Sequence, residues 1–437
     1  MLDKIISELK TRKDFAGWSV RHIRSRGAQV YLVPSGIEAE REVSDEKYRI
    51  DVLRSTKNAD GSAAMGSGPA TVLSGGDITA AIDEASLIAG LVSNPPYGMP
   101  GPASLPDVAL VDKLIKEDAA KICVDTMKQI QQSAKFDDVR LTSAESFAET
   151  EAVHLVNNRG IDSEQEGTRI NIEFVLQSRK GERNSEMFTA IARRRASDLN
   201  LAETITSRAQ YTRDLLEPSP PPNWEGQVIM RKGALANFLC GDELAVSVVG
   251  TLAAGESKYA KVSPWEIGKS MFRGEVKGDP LNLWANRTVP FGNRSDQFDA
   301  EGIPAQRVEI IRENVLSTFA CSQKYADYLN IPATGDFGNT EVAAGQTKAQ
   351  DLVTEPYVEV VMFSWFNPDP ISGDFASEIR LGYFVENGKV KPFKGGQLIG
   401  NVVDALANVT WSAETGFYGS YLGPHTARFS GLKVTPT

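Results

Sequence analysis

The sequence predicts an α+β fold built in two parts. Short strands and helices follow one another without a repeating βαβ alternation, which separates the chain from a doubly wound parallel sheet. In the first half, apolar residues alternate with charged ones over several segments, the period-2 pattern of half-exposed strands. The run Pro218-Ser219-Pro220-Pro221-Pro222 can continue neither a helix nor a central strand, so it divides residues 1–217 from a strand-rich part, residues 218–437.

The first ten residues read as an amphipathic helix. Residues 28–33, 37–43 and 48–54 follow as an antiparallel meander, and 61–76, rich in Gly, Ser and Ala, as turns around a small-residue strand. Asp77 caps a helix reaching residue 92, with Ile78, Ile82, Ala85, Leu87 and Ile88 as its apolar residues. The prolines and glycines of 94–106 make a loop. Helical spacing of Val108, Val111, Leu114 and Ile115, continued by Ile122, Met127 and Ile130, predicts helix over 106–135. Strand alternation returns over 137–195, best in 153–156, 169–176 and 186–192, and a helix over 199–216 stops before the proline run. Beyond it come a strand at 227–230, a helix over 232–251, a short helix at 322–329, and otherwise strands and turns.

The composition is that of an ordinary folded protein, with 41% hydrophobic and 24% charged residues. A net charge of -10 argues against non-specific binding to nucleic acid, whose phosphates it would repel. Arg193, Arg194 and Arg195 form the one tight arginine run, expected on a solvated face. Cys123, Cys240 and Cys321 are odd in number and far apart, so no disulfide framework is implied. The N-terminal helix lacks the pattern of a signal peptide, and no apolar run is long enough for a bilayer; the expectation is a cytoplasmic protein without a membrane segment.

Several catalytic signatures are missing. The histidines, His22, His154 and His425, are never at helical spacing, so no His-Glu-x-x-His arrangement exists, and neither does a Cys-x-x-Cys pair. Gly-x-Ser-x-Gly and a strand-borne Gly-x-Gly-x-x-Gly are absent as well. Ile267-Gly268-Lys269-Ser270 ends like a phosphate loop, but Ser263 stands where its first glycine belongs and Pro264 lacks the amide hydrogen such a loop uses.

Five loop-like constellations remain. They are Asn157-Asn158-Arg159-Gly160 with Thr168; 298–304, containing Asp299, Glu301 and Gly302; 333–339, containing Gly335 and Asn339; 367–375, containing Asp369, Gly373 and Asp374; and 419–429, containing His425 after a proline. As turns, they use Asp, Asn, Gly and Pro to bend or lock the backbone at strand ends. As a site, the carboxylates of Asp299, Glu301, Asp369 and Asp374 offer acid–base or ligand chemistry, although no spacing rule makes that specific.

Asp299-Ala300-Glu301-Gly302-Ile303-Pro304 is similar to the Asp-x-Glu-Gly-x-Pro element of the TldD/TldE family, whose TldE branch is also called PmbA or modulator of DNA gyrase. Ile311 through Leu316, Thr334-Gly335 with Asn339, Asp369-Pro370-Ile371-Ser372-Gly373-Asp374-Phe375, and the stretch from Gly382 to Asn401 resemble further elements of that family in the same order. The resemblance covers nearly the whole chain, specifically from Asp299 to Asn401 and diffusely before Pro218. Where the family's TldD subunit carries His-Glu-x-x-x-His on a helix, this chain reads Phe238-Leu239-Cys240-Gly241-Asp242-Glu243-Leu244, and no cysteine follows Cys321. The resemblance therefore implies the zinc-less branch, with no catalytic or metal residue to carry over.

It further implies an N-terminal α/β region with a mixed sheet and helices followed by a β-rich domain. A TldD-like partner would supply zinc and form a heterodimer that hydrolyses extended or unfolded peptides in the cytoplasm. A homodimer remains open for the chain alone. The cavity wall would draw on Asp299, Glu301, Gly302, Gly335, Asn339, Asp369, Gly373, Asp374 and His425. Two other readings stand beside it: an independent hydrolase using Cys240, Asp242, Glu243 and His425, and a non-enzymatic modulator of another protein such as DNA gyrase.

Overall fold

The alternating segments of the first half join into one sheet. The structure, a computed structural model, describes residues 1–241 and 247–436. Helix α1 (Leu2–Thr11) precedes strands β1 (Phe15–Val33), β2 (Gly36–Lys57) and β3 (Ala63–Leu73), then helices α2 (Ile78–Leu91), α3 (Lys113–Glu117) and α4 (Ala119–Ser133). Strands β4 (Val139–Asn157), β5 (Asp162–Lys180) and β6 (Arg183–Arg193) and helix α5 (Leu201–Asp214) complete this half. The six strands pair in the order β3-β2-β1-β4-β5-β6.

Each of these pairings is antiparallel, where the family resemblance implied a mixed sheet in this half. Short turns join β1 to β2, β4 to β5 and β5 to β6, and a tight turn returns the chain antiparallel; a parallel pair would need a long crossover. The strands also run longer than the alternation suggested. Residues 37–43 and 48–54 belong to the single 22-residue strand β2, whose charged middle is paired along its length with β1.

Helices cover one face of this sheet in two groups. Ile5 and Leu9 of α1 and Ile82, Ala85 and Ala89 of α2 pack on Trp18, Val20, Ile50 and Val52. Cys123, Met127 and Ile130 of α4 and Ile205 and Ala209 of α5 pack on Val30, Leu32, Ile172 and Phe174. Asp77 caps α2 by accepting a hydrogen bond from the Ala80 amide at 3.0 Å.

The helix expected over 106–135 starts only at Lys113. Asp112 caps α3, Asp118 caps α4, and residues 92–112 form an extended strap in which five prolines forbid helix. Asn94 pairs with Met65 of β3, and Pro100 O accepts from Asn157 Nδ2 at 2.9 Å. On the other side, the Pro95 carbonyl accepts from Tyr328 Oη at 2.8 Å, and Ala109 O accepts from the Phe291 amide at 2.8 Å. The strap thus bonds both halves of the chain.

The remaining strands and helices are β7 (Trp224–Glu225), β8 (Val228–Arg231), α6 (Lys232–Cys240), α7 (Val248–Leu252), α8 (Gly255–Tyr259), β9 (Leu283–Asn286), β10 (Arg307–Arg312), β11 (Val315–Leu316), α9 (Gln323–Leu329), β12 (Asn339–Val342), β13 (Tyr357–Phe363), β14 (Asp374–Glu386), β15 (Lys389–Phe393), β16 (Gln397–Asn401), α10 (Val402–Leu406), β17 (Val409–Trp411), β18 (Thr415–Tyr418), β19 (Tyr421–Pro424), β20 (Thr426–Phe429) and β21 (Lys433–Thr435). One sheet runs β11-β10-β9-β12-β19-β18. The other runs β17-β20-β8-β13-β14-β16-β21-β7, with β15 beside β14. Among the described residues, the parallel strand pairs are β8 with β13 and β12 with β19.

Helix α6 is buried among these strands, and its Phe238 packs on Phe366, Phe375 and Phe429 at centroid distances of 5.3, 5.8 and 5.0 Å. The single helix expected over 232–251 instead closes at Cys240, where Gly241 takes a φ of 68°. A new helix begins after Ser247, whose Oγ accepts from the Gly250 amide. Among the described residues, no helix is long and apolar enough to cross a membrane.

Candidate functional site

The 298–304 and 333–339 segments converge on one buried arginine. Arg287 follows β9, and its side chain is 1% exposed. Its Nε donates to Asp296 Oδ1 at 2.9 Å, Nη2 donates to Ile303 O at 3.0 Å, and Nη1 lies 3.7 Å from Asp299 Oδ2. Two glycines make room for it. A Cβ on Gly335 would sit 2.0 Å from Arg287 Nη1, and one on Gly338 would sit 2.4 Å from Arg287 Cγ.

Asp299 organises the turn around that guanidinium. Its Oδ1 accepts from the amides of Glu301, Gly302 and Ile303 at 3.0, 3.0 and 2.9 Å, which orders four residues around one carboxylate. Gly302 supplies the left-handed backbone the turn requires, with φ of 96°. Burial pushes the carboxyls of Asp296 and Asp299 above their ordinary range, and Arg287 opposes that shift in both.

Asn339 locks the neighbouring strand. Its Nδ2 donates to Asn286 O and Ser295 Oγ at 2.8 and 2.9 Å, and its Oδ1 accepts from the Arg294 amide at 3.0 Å. Glu301 Oε2 accepts from the amide of Gln323, the first residue of α9, at 2.7 Å. Burial pushes this carboxyl up to about 7, with Asp299, Asp336 and Asp51 adding repulsion. Asp299, Glu301, Gly302, Gly335 and Asn339 therefore belong to one cluster.

Asp369, Gly373 and Asp374 form a second, separate turn. Asp369 Oδ1 accepts from the amides of Ile371 and Ser372 at 3.0 and 2.7 Å. Asn401 donates to Ser372 O and Asp374 Oδ1 and caps α10, while Gly373 O accepts from the Val402 amide. These bonds tie the turn to the start of α10 and do not reach the Arg287 cluster.

His425 lies at the other end of α6 from Cys240. Its carbonyl accepts from the Lys232 amide at 2.8 Å, and its Nδ1 meets Thr426 Oγ1 at 2.7 Å. Cys240 closes the helix beside Ser420, and burial pushes its thiol up to about 11. Residues 232 and 240 are roughly 12 Å apart at a helical rise of 1.5 Å per residue. The constellation of Cys240, Asp242, Glu243 and His425 is thus divided by the helix; Asp242 and Glu243 lie outside the described residues.

Sheet register brings together two histidines that helical spacing kept apart. His22 of β1 is the direct cross-strand partner of His154 of β4. His22 Nε2 meets Glu46 at 2.7 Å and stacks on Tyr48, and His154 meets Asp162 at 2.6 Å and Glu164 at 3.3 Å. Even so, among the described residues no group of three or more His, Cys, Asp or Glu side chains can hold a metal ion.

The arginine run departs from its expected solvated face. Arg194 is half-buried between the halves, where its Nε donates to Gly292 O at 2.8 Å and its Nη2 to Ser295 O at 2.6 Å. It lines a cavity of about 180 Å³ together with Glu149, Glu151, Arg169 and Asp296. Arg287, the centre of the first cluster, carried no signal in the sequence, because its acidic partners are nine residues and more away.

Residues 227–436 match the PmbA/TldA metallopeptidase C-terminal domain. An uncharacterised protein of Methanocaldococcus jannaschii is 24% identical over 263 residues, 57% of this chain and 59% of that protein. The metalloprotease PmbA of Escherichia coli O157:H7 is 24% identical over 302 residues, 65% of this chain and 63% of that protein. Each match thus spans less than two thirds of the relative. TldE from Thermococcus kodakarensis superposes with a TM-score of 0.80 at 19% identity, covering 99% of this chain and 100% of that one. A solved structure from Thermotoga maritima gives a TM-score of 0.81 at 18% identity, covering 99% of both chains. These structures share the α+β fold of this chain, and its residues 227–436 are similar to the C-terminal domain of the PmbA/TldA metallopeptidase family.

Proposed function

We propose that the chain is the zinc-less subunit of a two-subunit, TldD/TldE-type metallopeptidase that acts on extended or unfolded peptides in the cytoplasm. The observation that carries this reading is the donor chemistry of α6. Where the family's zinc subunit presents two imidazoles on one helix, α6 offers Cys240 alone, a buried thiol held protonated at neutral pH. These residues do not fit a zinc ion, so no step through a metal is assigned to this chain. A TldD-like partner in a heterodimer would supply the zinc.

The chain's own part is to shape the cavity. Strand β18 ends the six-stranded sheet of the C-terminal half and leads directly to Ser420, whose carbonyl receives the Cys240 thiol. An edge strand in that place gives an extended peptide a row of backbone partners. The Arg287 cluster keeps the neighbouring β9 and β12 rigid behind it.

The test is metal analysis of the purified chain, then an assay on unfolded peptides with and without a partner bearing His-Glu-x-x-x-His. Less than a tenth of an equivalent of zinc (roughly) and cleavage only in the mixture are expected. One equivalent of zinc together with cleavage by the chain alone would overturn the proposal.

A further inference from the structure

Strand β2 outruns the strand that covers it. It has 22 residues and β3 has 11. Pairing with β3 spans Lys47 to Lys57, and one further bond runs from the Ser74 amide to Glu46 O at 3.2 Å. Residues 37–45 have β1 on one side and, among the described residues, no strand on the other. Along an antiparallel strand the amide and carbonyl of a residue point to one side, and the side alternates with each residue. The Glu46 carbonyl points to the β3 side. The ladder with β1 stays in register from Glu46 to Ala39, so the backbone groups of Ser44, Glu42 and Glu40 point the same way, past the end of β3.

The side chains of this open edge differ between its two faces. Glu40 and Glu42 are exposed on one face, opposite Val30 and Ala28 of β1, and neither forms an ion pair among the described residues. On the other face the charges are already engaged. The Arg41 guanidinium lies 5.3 Å over the Tyr31 ring, and Asp45 pairs with Lys47 at 3.3 Å. Ala39 and Val43 remain there, and Val43 is 40% exposed. Charge on an edge strand discourages pairing with the wrong chain. Here it also sets the sign of the right one. A second copy added along this edge would bring Glu40 and Glu42 beside their own counterparts, and like charges across a strand pair repel.

We propose that residues 37–45 of β2 are a docking edge for an extended basic segment of another polypeptide, which joins the sheet as a strand next to β2. Its backbone bonds to Glu40, Glu42 and Ser44. Its Lys or Arg side chains lie beside Glu40 and Glu42, and the small apolar residues between them lie beside Ala39 and Val43. This edge belongs to a different sheet from β18 and is independent of any peptidase role.

The test uses the full chain and a capped peptide of about nine residues alternating Lys and Val, followed by fluorescence anisotropy and hydrogen exchange at about 0.15 M salt. Binding at about 100 μM or tighter is expected, with slower exchange across 37–46 and none gained at β6, the other edge of the sheet. A peptide with Glu in place of Lys should bind at least about tenfold more weakly, because its charges repel. So should the Lys peptide N-methylated at the alternate residues that face the edge, because it keeps its charge and loses its donors. The double variant Glu40→Lys, Glu42→Lys should reverse the preference between the Lys and Glu peptides; the N-methylated peptide carries the test if that variant does not fold. Equal binding of the N-methylated peptide, protection elsewhere than 37–46, or protection of 37–46 that rises with chain concentration in the absence of peptide would overturn the proposal.

Discussion

At the scale of single residues, Arg287 decides the local structure. A guanidinium this deeply buried is tolerable because Asp296, Asp299 and a carbonyl surround it, and the same enclosure makes its loss costly. Arg287→Met leaves the buried Asp299 and the half-buried Asp296 without their cation, and a loss of about 3–5 kcal/mol in denaturant unfolding is expected. Gly335→Ala presses a methyl group onto Arg287 Nη1 at a φ of 77°, so about 2 kcal/mol or more should go there too. Gly274→Ala meets nothing within 4 Å and serves as the neutral control. If Gly335→Ala matched the control, the packing around the arginine would be looser than described. The turn chemistry of Asp299 and Gly302 was legible in the sequence, because Asp and Gly announce such bends. The arginine was not, because a lone Arg after a short strand looks like any surface residue until the fold returns two acids to it.

At the scale of elements, alternation identified strands but not their extent. The charged stretch of β2 between residues 43 and 48 reads as a break, yet pairing with β1 satisfies its backbone whatever the side chains face. Residues 106–112 have helical spacing but lie extended, since the prolines before them and the strap's bonds to Thr168 and Phe291 outweigh a weak local preference. His22 and His154 became neighbours through register, which no spacing rule along one strand can reveal. The small residues of β3, in contrast, state their purpose once α2 is in place. A Cβ on Gly66 would lie 1.7 Å from Ala89 O, and one on Gly68 1.9 Å from Ala85 O. Gly68→Ala should therefore lift α2 from the sheet, costing about 2–3 kcal/mol and raising hydrogen exchange across 78–91 before the rest of the chain. Unchanged exchange in α2 would mean that the helix can slide without cost.

At the scale of the whole molecule, buried carboxyls set the response to pH. Glu149, Asp296, Asp299, Glu301 and Glu359 are all pushed up, mainly by burial. A carboxyl raised in the folded chain binds its proton more tightly there than in the unfolded chain. In the window between the two values the folded state holds more protons, so stability falls as pH rises and the penalty is complete above the folded value. Glu341, held down by Arg307 and Asn286 against its own burial, works the other way: its stabilisation is present above the unfolded value and is lost as pH falls through the folded one. For Glu301, raised from 4.5 to about 7, the window spans that interval. Urea unfolding should thus show a less stable protein at about pH 7.5 than at about pH 5.5. Glu301→Gln should recover about 2 kcal/mol of that difference, because an amide accepts the Gln323 hydrogen bond without a charge to ionise. A Gln variant whose stability fell with pH as steeply as wild type would assign the slope to the other buried acids and leave Glu301 a purely structural cap.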